Sequence, residues 1–308
     1  MGIVAIGAIF VDIKGYSLST YIPGGRNVGA IDTIHGGVTR NLTEDIANLE
    51  LKPTLLSIVD DTPLGEDVLK KLERHKVDTR YIQKIKGGMG TWLAVFDHAG
   101  DVVASVSSRP DLMPILNVLE QHGDEIFSQA DSIAIEIDIE KEIVKKVFQL
   151  AQKHNKAVYS LVSNMSIAVQ RRDFIKSTSC FVCNQQEAGI YFSEDYSDFT
   201  PEQMREVLAD RVKTSRIPKM VVTMGEKGSV YATSDGESGM IPAIKTDVID
   251  TTGCGDAFFA GVCVGLTYGK TLKEACVIGT RLASSVINTH ENVNPRFLPE
   301  EFGIQARD

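Results

Sequence analysis

Asp250-Thr251-Thr252-Gly253-Cys254-Gly255-Asp256 runs without a break into an apolar stretch over residues 257–266. Polar residues punctuate only the start of that stretch, so it reads as a buried helix entered through a glycine turn. Glycines let a turn aim backbone N–H groups inward, and the first turn of a helix adds the positive end of its dipole. The join therefore suits an anion. Asp256 falls in or near the first helical turn, where a carboxylate can serve as a cap. Beside a phosphoryl group it would instead add repulsion, useful only if it takes a proton from an attacking hydroxyl. The stretch alone leaves a plain glycine turn open. No Gly-x-x-x-x-Gly-Lys-Ser/Thr string occurs, and Gly7 in the opening strand has no partner glycines in register, so neither a Walker loop nor a dinucleotide fingerprint accounts for it.

Upstream, strand-like runs alternate with helix-like ones, the pattern of an α/β fold with a mostly parallel sheet covered by helices. Residues 4–11, 54–59, 132–137, 157–162, 181–184 and 220–223 are short and rich in β-branched side chains. Residues 42–49, 65–75, 140–154, 201–212 and 272–288 place apolar side chains at helical spacing. Two segments, about 13–36 and 87–108, alternate with period two around a Pro23-Gly24-Gly25 turn and a turn at 97–101. That is the signature of antiparallel hairpins, which do not belong in a parallel core. They are expected to form a small projecting sheet on a single domain spanning residues 1–308, serving as a lid, a dimer surface or decoration.

Of 308 residues, 32 are Lys or Arg and 41 are Asp or Glu, a net charge of −9. The longest basic runs are the pairs Lys145-Lys146 and Arg171-Arg172. Nucleic acid and anionic lipid draw affinity from clustered cations, so neither is an expected partner. The N-terminus carries no basic segment before its apolar run, and residues 257–266 are too few to span a bilayer, so the chain is expected to be soluble and cytoplasmic. Its five cysteines suit a reducing compartment. Cys180 and Cys183 have the spacing of half a zinc site, but no second pair follows, and two thiols buried in a strand are the better reading.

Three further segments carry polar groups where ligands bind in open α/β sheets. Asp12, read as the carboxyl end of the first strand, can accept from two adjacent hydroxyls, or simply close a turn. Gly36 and Gly37 permit close backbone approach, and Asn41 near a helix start can bond a polyol or cap the helix. Asn184 and Glu187, three apart after a strand, suit Mg²⁺ or its water shell, but on this segment alone a capping box is the better reading. Thr223, Gly225 and Gly228, between two strands, can set a hydroxyl and amides beside a nucleotide phosphate, or make a plain hairpin.

Together these segments resemble, in order and across nearly the whole chain, the PfkB or ribokinase-like family of carbohydrate and nucleoside kinases. The resemblance implies a Rossmann-like three-layer α/β/α fold with a β-sheet lid, transferring the γ-phosphoryl of ATP to a hydroxyl of a sugar or nucleoside with Mg²⁺. Relatives often also use a monovalent cation such as K⁺. It implies that Asp256 is the catalytic base and that the amides of Gly253, Cys254, Gly255 and Asp256 form an anion hole. Asn184, Thr223, Gly225 and Gly228 are then expected on the nucleotide, Glu187 with Asn184 on the metal through water, and Asp12, Gly36, Gly37, Arg40 and Asn41 on the substrate. Homodimers through the lid are expected from Trp92, Leu93, Val95 and Phe96, abundant for a small sheet.

Within the family, Arg40 directly before Asn41, and the neighbourhoods of residues 11–16, 244–250 and 294–295, look more like pseudouridine kinases than ribokinases or fructokinases. The 5′-hydroxyl of pseudouridine is the first expected acceptor. A ribokinase- or fructokinase-like sugar kinase and a non-catalytic nucleotide or sugar sensor are the alternatives. Cys254 replaces the alanine usual between the two glycines, and a thiol at a helix N-terminus is expected to have a lowered pKa. Ser160 stands where relatives often carry Asp, removing one polar contact near the nucleotide phosphates.

Overall fold

A computed structural model describes residues 2–98, 102–289 and 291–305. Its strands are β1 (Ile3–Ile6), β2 (Phe10–Ser17), β3 (Gly29–Gly36), β4 (Thr54–Leu56), β5 (Ile58–Asp60), β6 (Gln83–Ile85), β7 (Gly90–Phe96), β8 (Val102–Ser108), β9 (Ser132–Glu136), β10 (Val158–Leu161), β11 (Cys180–Asn184), β12 (Lys219–Thr223), β13 (Ser229–Thr233) and β14 (Ser238–Ile241). Its α-helices are α1 (Val38–Ala47), α2 (Pro63–Arg74), α3 (Pro114–Gln129), α4 (Lys141–Lys153), α5 (Met165–Ala168), α6 (Arg172–Ser177), α7 (Gln185–Phe192), α8 (Pro201–Ser215), α9 (Cys254–Thr267) and α10 (Leu272–Ile287).

The main sheet runs β14-β13-β12-β11-β10-β9-β1-β4. All its pairings from β4 to β12 are parallel, and β13 and β14 add an antiparallel edge. Alternation along the strands divides the core. Val4, Ile6, Ile133 and Ile135 pack with α3, α4 and α8 on one side, while Ile3, Ala5 and Ala134 pack with α1, α9 and α10 on the other. The result is three layers, as the period-two and helical patterns require. The stripe of Ile143, Val144, Val147 and Leu150 is buried along α4. Cys180 and Cys183 are buried free thiols in β11.

One expected strand is two. The run over residues 4–11 breaks at Gly7, where a Cβ would lie 2.6 Å from Glu136 Oε1 and also meet the Thr39 hydroxyl. The chain bends there, so Asp12 lies within β2 of a second sheet rather than at the end of a main-sheet strand. The run over 54–59 also divides, its second half β5 pairing with β6 in a separate two-stranded sheet.

The second sheet is ordered β3-β2-β7-β8. Antiparallel β2–β3 and β7–β8 are joined by a parallel β2–β7 pairing. Part of the turn joining β7 to β8, residues 99–101, falls outside the described residues. Register sets the two faces: Asp12, Lys14, Tyr16, Trp92 and Phe96 share one, and Ile13, Ile31, Leu93, Val95 and Val106 the other.

Candidate active site

Among the described residues five of the ten α-helices begin on a side-chain cap, among them α2, α8 and α10, where Thr62, Thr200 and Thr271 each accept from a backbone N–H. Helix α9 does not. Its N-cap is Gly253 at φ +84°, which offers no side chain, so no cap takes up the first-turn amides, although Cys254 N makes a long bond to Thr251 O at 3.3 Å. A Cβ on Gly253 would meet the Asn292 carbonyl, 2.7 Å from its carbon, whereas one on Gly255 would meet nothing within 4 Å.

Helix α1 starts the same way, on Gly37 at φ +95° with no side-chain cap. Gly36 has no room for a side chain, since a Cβ there would lie 2.5 Å from the Asp12 carboxyl carbon. The two glycines let the start of α1 lie against β2, and this brings three expected site residues together. Asn41 is not a cap: from the second turn of α1 its Nδ2 donates to Asp256 Oδ2 at 2.7 Å. Asp12 is close enough to both Arg40 and Asp256 to be felt electrostatically.

Burial pushes Asp256 up to about 7; the Asn41 amide and Arg40 pull it down, while Asp12 and Glu187 push it further up. Burial likewise raises Asp12 to about 6, against the pull of Lys14 and Arg40. A carboxyl poised near neutrality is suited to accepting a proton. Cys254 departs from expectation: burial, with Asp250, Asp256 and Asp45 nearby, pushes its thiol up to about 12. Burial first, and then the carboxylates around the turn, outweigh the dipole of one helix end.

Arg40, expected on the substrate, has no exposed surface and is bonded on every side to protein. Ser160 is buried inside β10 and its hydroxyl has no partner. Its register partners are Ile135 on β9 and Phe181 on β11.

Asn184 and Thr223 are register partners on β11 and β12. The capping box at α7 is realised: Asn184 Oδ1 accepts from Glu187 N at 2.8 Å, and Glu187 Oε2 from Asn184 N at 2.7 Å. Burial raises the Glu187 pKa. Asn184, Thr223 and Gly225 line a cavity of about 770 Å³ that also includes Tyr196. Thr223 and Gly225 sit where β12 turns into antiparallel β13, and Gly228, at φ +91°, closes that turn, its carbonyl accepting from Met224 N at 2.8 Å. Among the described residues no three His, Cys, Asp or Glu converge on a metal position. Mg²⁺ commonly keeps several waters and is held by one or two carboxylates and substrate phosphates, and a single partly buried Glu187, near enough to Asp256 to be felt electrostatically, fits that mode.

Two groups escaped the sequence reading. Glu136, ending β9, accepts from Ala8 N at 3.2 Å and Thr39 N at 3.1 Å and also from the Thr39 hydroxyl, with burial and Asp138 raising its pKa. Lys14, 2% exposed, donates to Asp250 Oδ2 at 3.2 Å and Thr252 Oγ1 at 3.1 Å, tying β2 to the anion turn. Carboxylates alternating through residues 136, 138 and 140 were a visible signal for the first. A lone lysine between Ile13 and Gly15 gave none for the second.

Fold and site together define a phosphotransferase acting on a hydroxyl group. Residues 2–297 match the pattern described as pfkB family carbohydrate kinase, and the chain belongs to that family. It is similar to a guanosine-inosine kinase of Exiguobacterium acetylicum, 31% identical over 94% of this chain and 95% of that protein. It is also similar to a pseudouridine kinase of Escherichia coli K12, 28% identical over 95% of this chain and 92% of that one. The ribokinase of Arabidopsis thaliana, solved with ribose and ATP, superposes with a TM-score of 0.82 at 18% identity, covering 97% of both chains. The ribokinase-like fold is thereby established. Among the described residues no helix is long and apolar enough to cross a membrane.

Proposed function

We propose that this chain is a nucleoside kinase that transfers the γ-phosphoryl group of ATP to a ribose 5′-hydroxyl. The observation that carries the reading is the Asp256 carboxyl, held by Asn41 at the side-chain-free N-terminus of α9. In the reaction, the hydroxyl proton passes to Asp256, the hydroxyl oxygen bonds to the γ-phosphorus, and the β–γ bridging oxygen leaves with ADP. Charge gathering on the transferred oxygens is met by the amides of residues 253–256. Asn184, Thr223 and Gly225 hold the nucleotide, with Gly228 shaping their turn. Glu187 reaches Mg²⁺ through water, and the metal, when bound, neutralises the donor phosphates. Asp12 accepts from sugar hydroxyls beside Gly36 and Gly37, whose lack of side chains lets the start of α1 lie against its carboxyl.

A nucleoside is favoured over a bare sugar by the second sheet. Tyr16, Trp92 and Phe96 lie on the face that carries Asp12 and Lys14, with Tyr16 and Phe96 stacked at 4.9 Å and Trp92 edge-on to Phe96 at 6.4 Å. Such a row offers a nucleobase flat apolar contact. The E. acetylicum relative makes guanosine and inosine the first acceptors, ahead of pseudouridine. The sheet then acts as a lid within one kinase domain, excluding water from the transfer. Its outer face leaves Ile31, Leu93 and Val106 exposed, and supports pairing of two chains through their lids.

Phosphate transfer from ATP to guanosine, inosine, pseudouridine, uridine, adenosine, ribose and fructose, with Asp256→Asn alongside, tests the reading. Turnover on guanosine or inosine, lost by ~10²–10⁴-fold in Asp256→Asn, is expected. Activity confined to ribose or fructose would make it a sugar kinase, and no transfer to any acceptor would make it a sensor.

A further inference from the structure

We propose that Arg40 is a positioning residue for phosphoryl transfer, its buried guanidinium fixing the Asn41 amide and, through it, the Asp256 carboxylate. The inference rests on the role proposed for Asp256 above.

Arg40 gathers three parts of the chain. Its Nη1 donates to Glu44 Oε2 at 2.5 Å, one turn along α1. Its Nη2 donates to Asn41 Oδ1, to His35 O at the end of β3, and to Asn292 Oδ1 at 3.0 Å, far along the chain. Asn292 Nδ2 returns to the same His35 carbonyl at 2.7 Å. Glu44, itself fully buried, supplies the counter-charge, with Lys71 Nζ at 3.4 Å and His75 Nε2 at 3.5 Å from its other oxygen.

Two consequences exceed those of a structural ion pair. The first concerns the Asn41 amide, whose oxygen and nitrogen ends are nearly alike in shape but opposite in chemistry. A guanidinium only donates and a carboxylate only accepts, so Arg40 on Oδ1 obliges the NH₂ end to face Asp256. Without that donor the amide can turn over and present its oxygen to the carboxylate. The second concerns the anion turn. The Asn292 backbone stands where a Gly253 Cβ would be, so the Arg40–Asn292 bond also sets the wall behind that turn. The carboxylate and the amides it works beside are thus registered by one side chain.

Arg40→Lys tests this. An ammonium keeps a charge but has one nitrogen, which cannot be both at Glu44, the partner of Nη1, and at the Asn41, Asn292 and His35 oxygens, the partners of Nη2. With a folded variant, kcat for the nucleoside is expected to fall on the order of 10²-fold while KM for ATP stays within about threefold, the mark of misplaced groups rather than lost binding. Because Arg40 acts through Asn41 and, to a smaller extent, through the Asn292 wall, Arg40→Lys combined with Asn41→Ala should lose no more than about 10-fold beyond Asn41→Ala alone; a further loss as large as the full ~10²-fold of Arg40→Lys overturns the proposal. Should Arg40→Lys not fold, Asn292→Ala, which removes the acceptor for Arg40 and the donor to His35 O but no charge, decides: kcat reduced about 2- to 10-fold supports the wall, and unchanged kcat overturns it. Asp256→Asn in the same assay separates the two readings. Turnover silenced there but intact in Arg40→Lys sinks the positioning role alone, whereas intact turnover in Asp256→Asn sinks the base assignment on which it stands.

Discussion

Two glycines one residue apart in the anion turn respond oppositely to the same added methyl group. At Gly253 the backbone is left-handed, φ +84°, which costs an alanine roughly 1–2 kcal/mol. Its Cβ would also overlap the Asn292 carbonyl, 2.7 Å from the carbon. That carbonyl cannot easily retreat, because the Asn292 side chain is held by Arg40 and by His35 O. Strain and overlap together come to about 2–4 kcal/mol. At Gly255 the new Cβ meets nothing within 4 Å, and φ is not in the left-handed range. Inside the first turn of α9, alanine is a better helix former than glycine by about 0.5–1 kcal/mol. Thermal unfolding followed by circular dichroism should therefore show Gly253→Ala melting about 4–12 °C lower and Gly255→Ala at or slightly above the wild-type Tm. Steady-state kinetics should then show Gly255→Ala with a raised KM for ATP, because its open space is where the phosphoryl oxygens belong. Gly253→Ala melting within 1 °C of wild type, or Gly255→Ala with unchanged kcat and KM, would refute the geometry of the anion turn.

The raised pKa of Asp256, about 7 against an unfolded value near 4, means the folded protein holds a proton that the unfolded chain has released, so stability falls as pH rises between those values. Asp256→Asn cannot ionise and should gain about 1–3 kcal/mol over wild type at pH 8 by denaturant titration, a gain that disappears at pH 4; equal differences at both pH values would contradict this. The Cys254 thiol, pushed up to about 12, should label no faster with maleimide at pH 7.5 than the protein does after Cys254→Ala. Trp92→Ala should raise KM for guanosine roughly 5- to 100-fold, the weight of one stacked base, and leave KM for ATP unchanged; equal effects on both would remove Trp92 from the base contact. With a net charge of −9 and phosphate contacts made by a few amides, protection of the protein by ATP against unfolding should vanish with EDTA, and excess double-stranded DNA should not compete.

How far the sequence led is best judged at Asp12, Asn41 and Arg40. The apolar run ending at Asp12 reads as one strand closed by that residue, and it does not tell where one sheet ends and the next begins. The run over residues 4–11 is uniformly apolar, and the break at Gly7 is imposed by Thr39 and Glu136, which are remote in sequence. Asn41 was legible as a polar residue at a helix start, open to either a cap or a ligand role. Only the packing of α1 against α9 turned it toward Asp256. Arg40 was legible only as a marker of resemblance, and the resemblance pointed it at the substrate. Its true surroundings are a carboxylate four residues on, an amide next door and an amide 252 residues away. The first follows from helical spacing, where residues one turn apart face each other, and the second only from adjacency in the chain. The third follows from neither, and it is the contact that joins the two helix N-termini into one site. Local periodicity therefore suffices for elements and for single candidate residues. The registration between them is carried by buried charge, which must find its partners wherever the fold brings them, because an unpaired guanidinium in that interior would cost several kcal/mol.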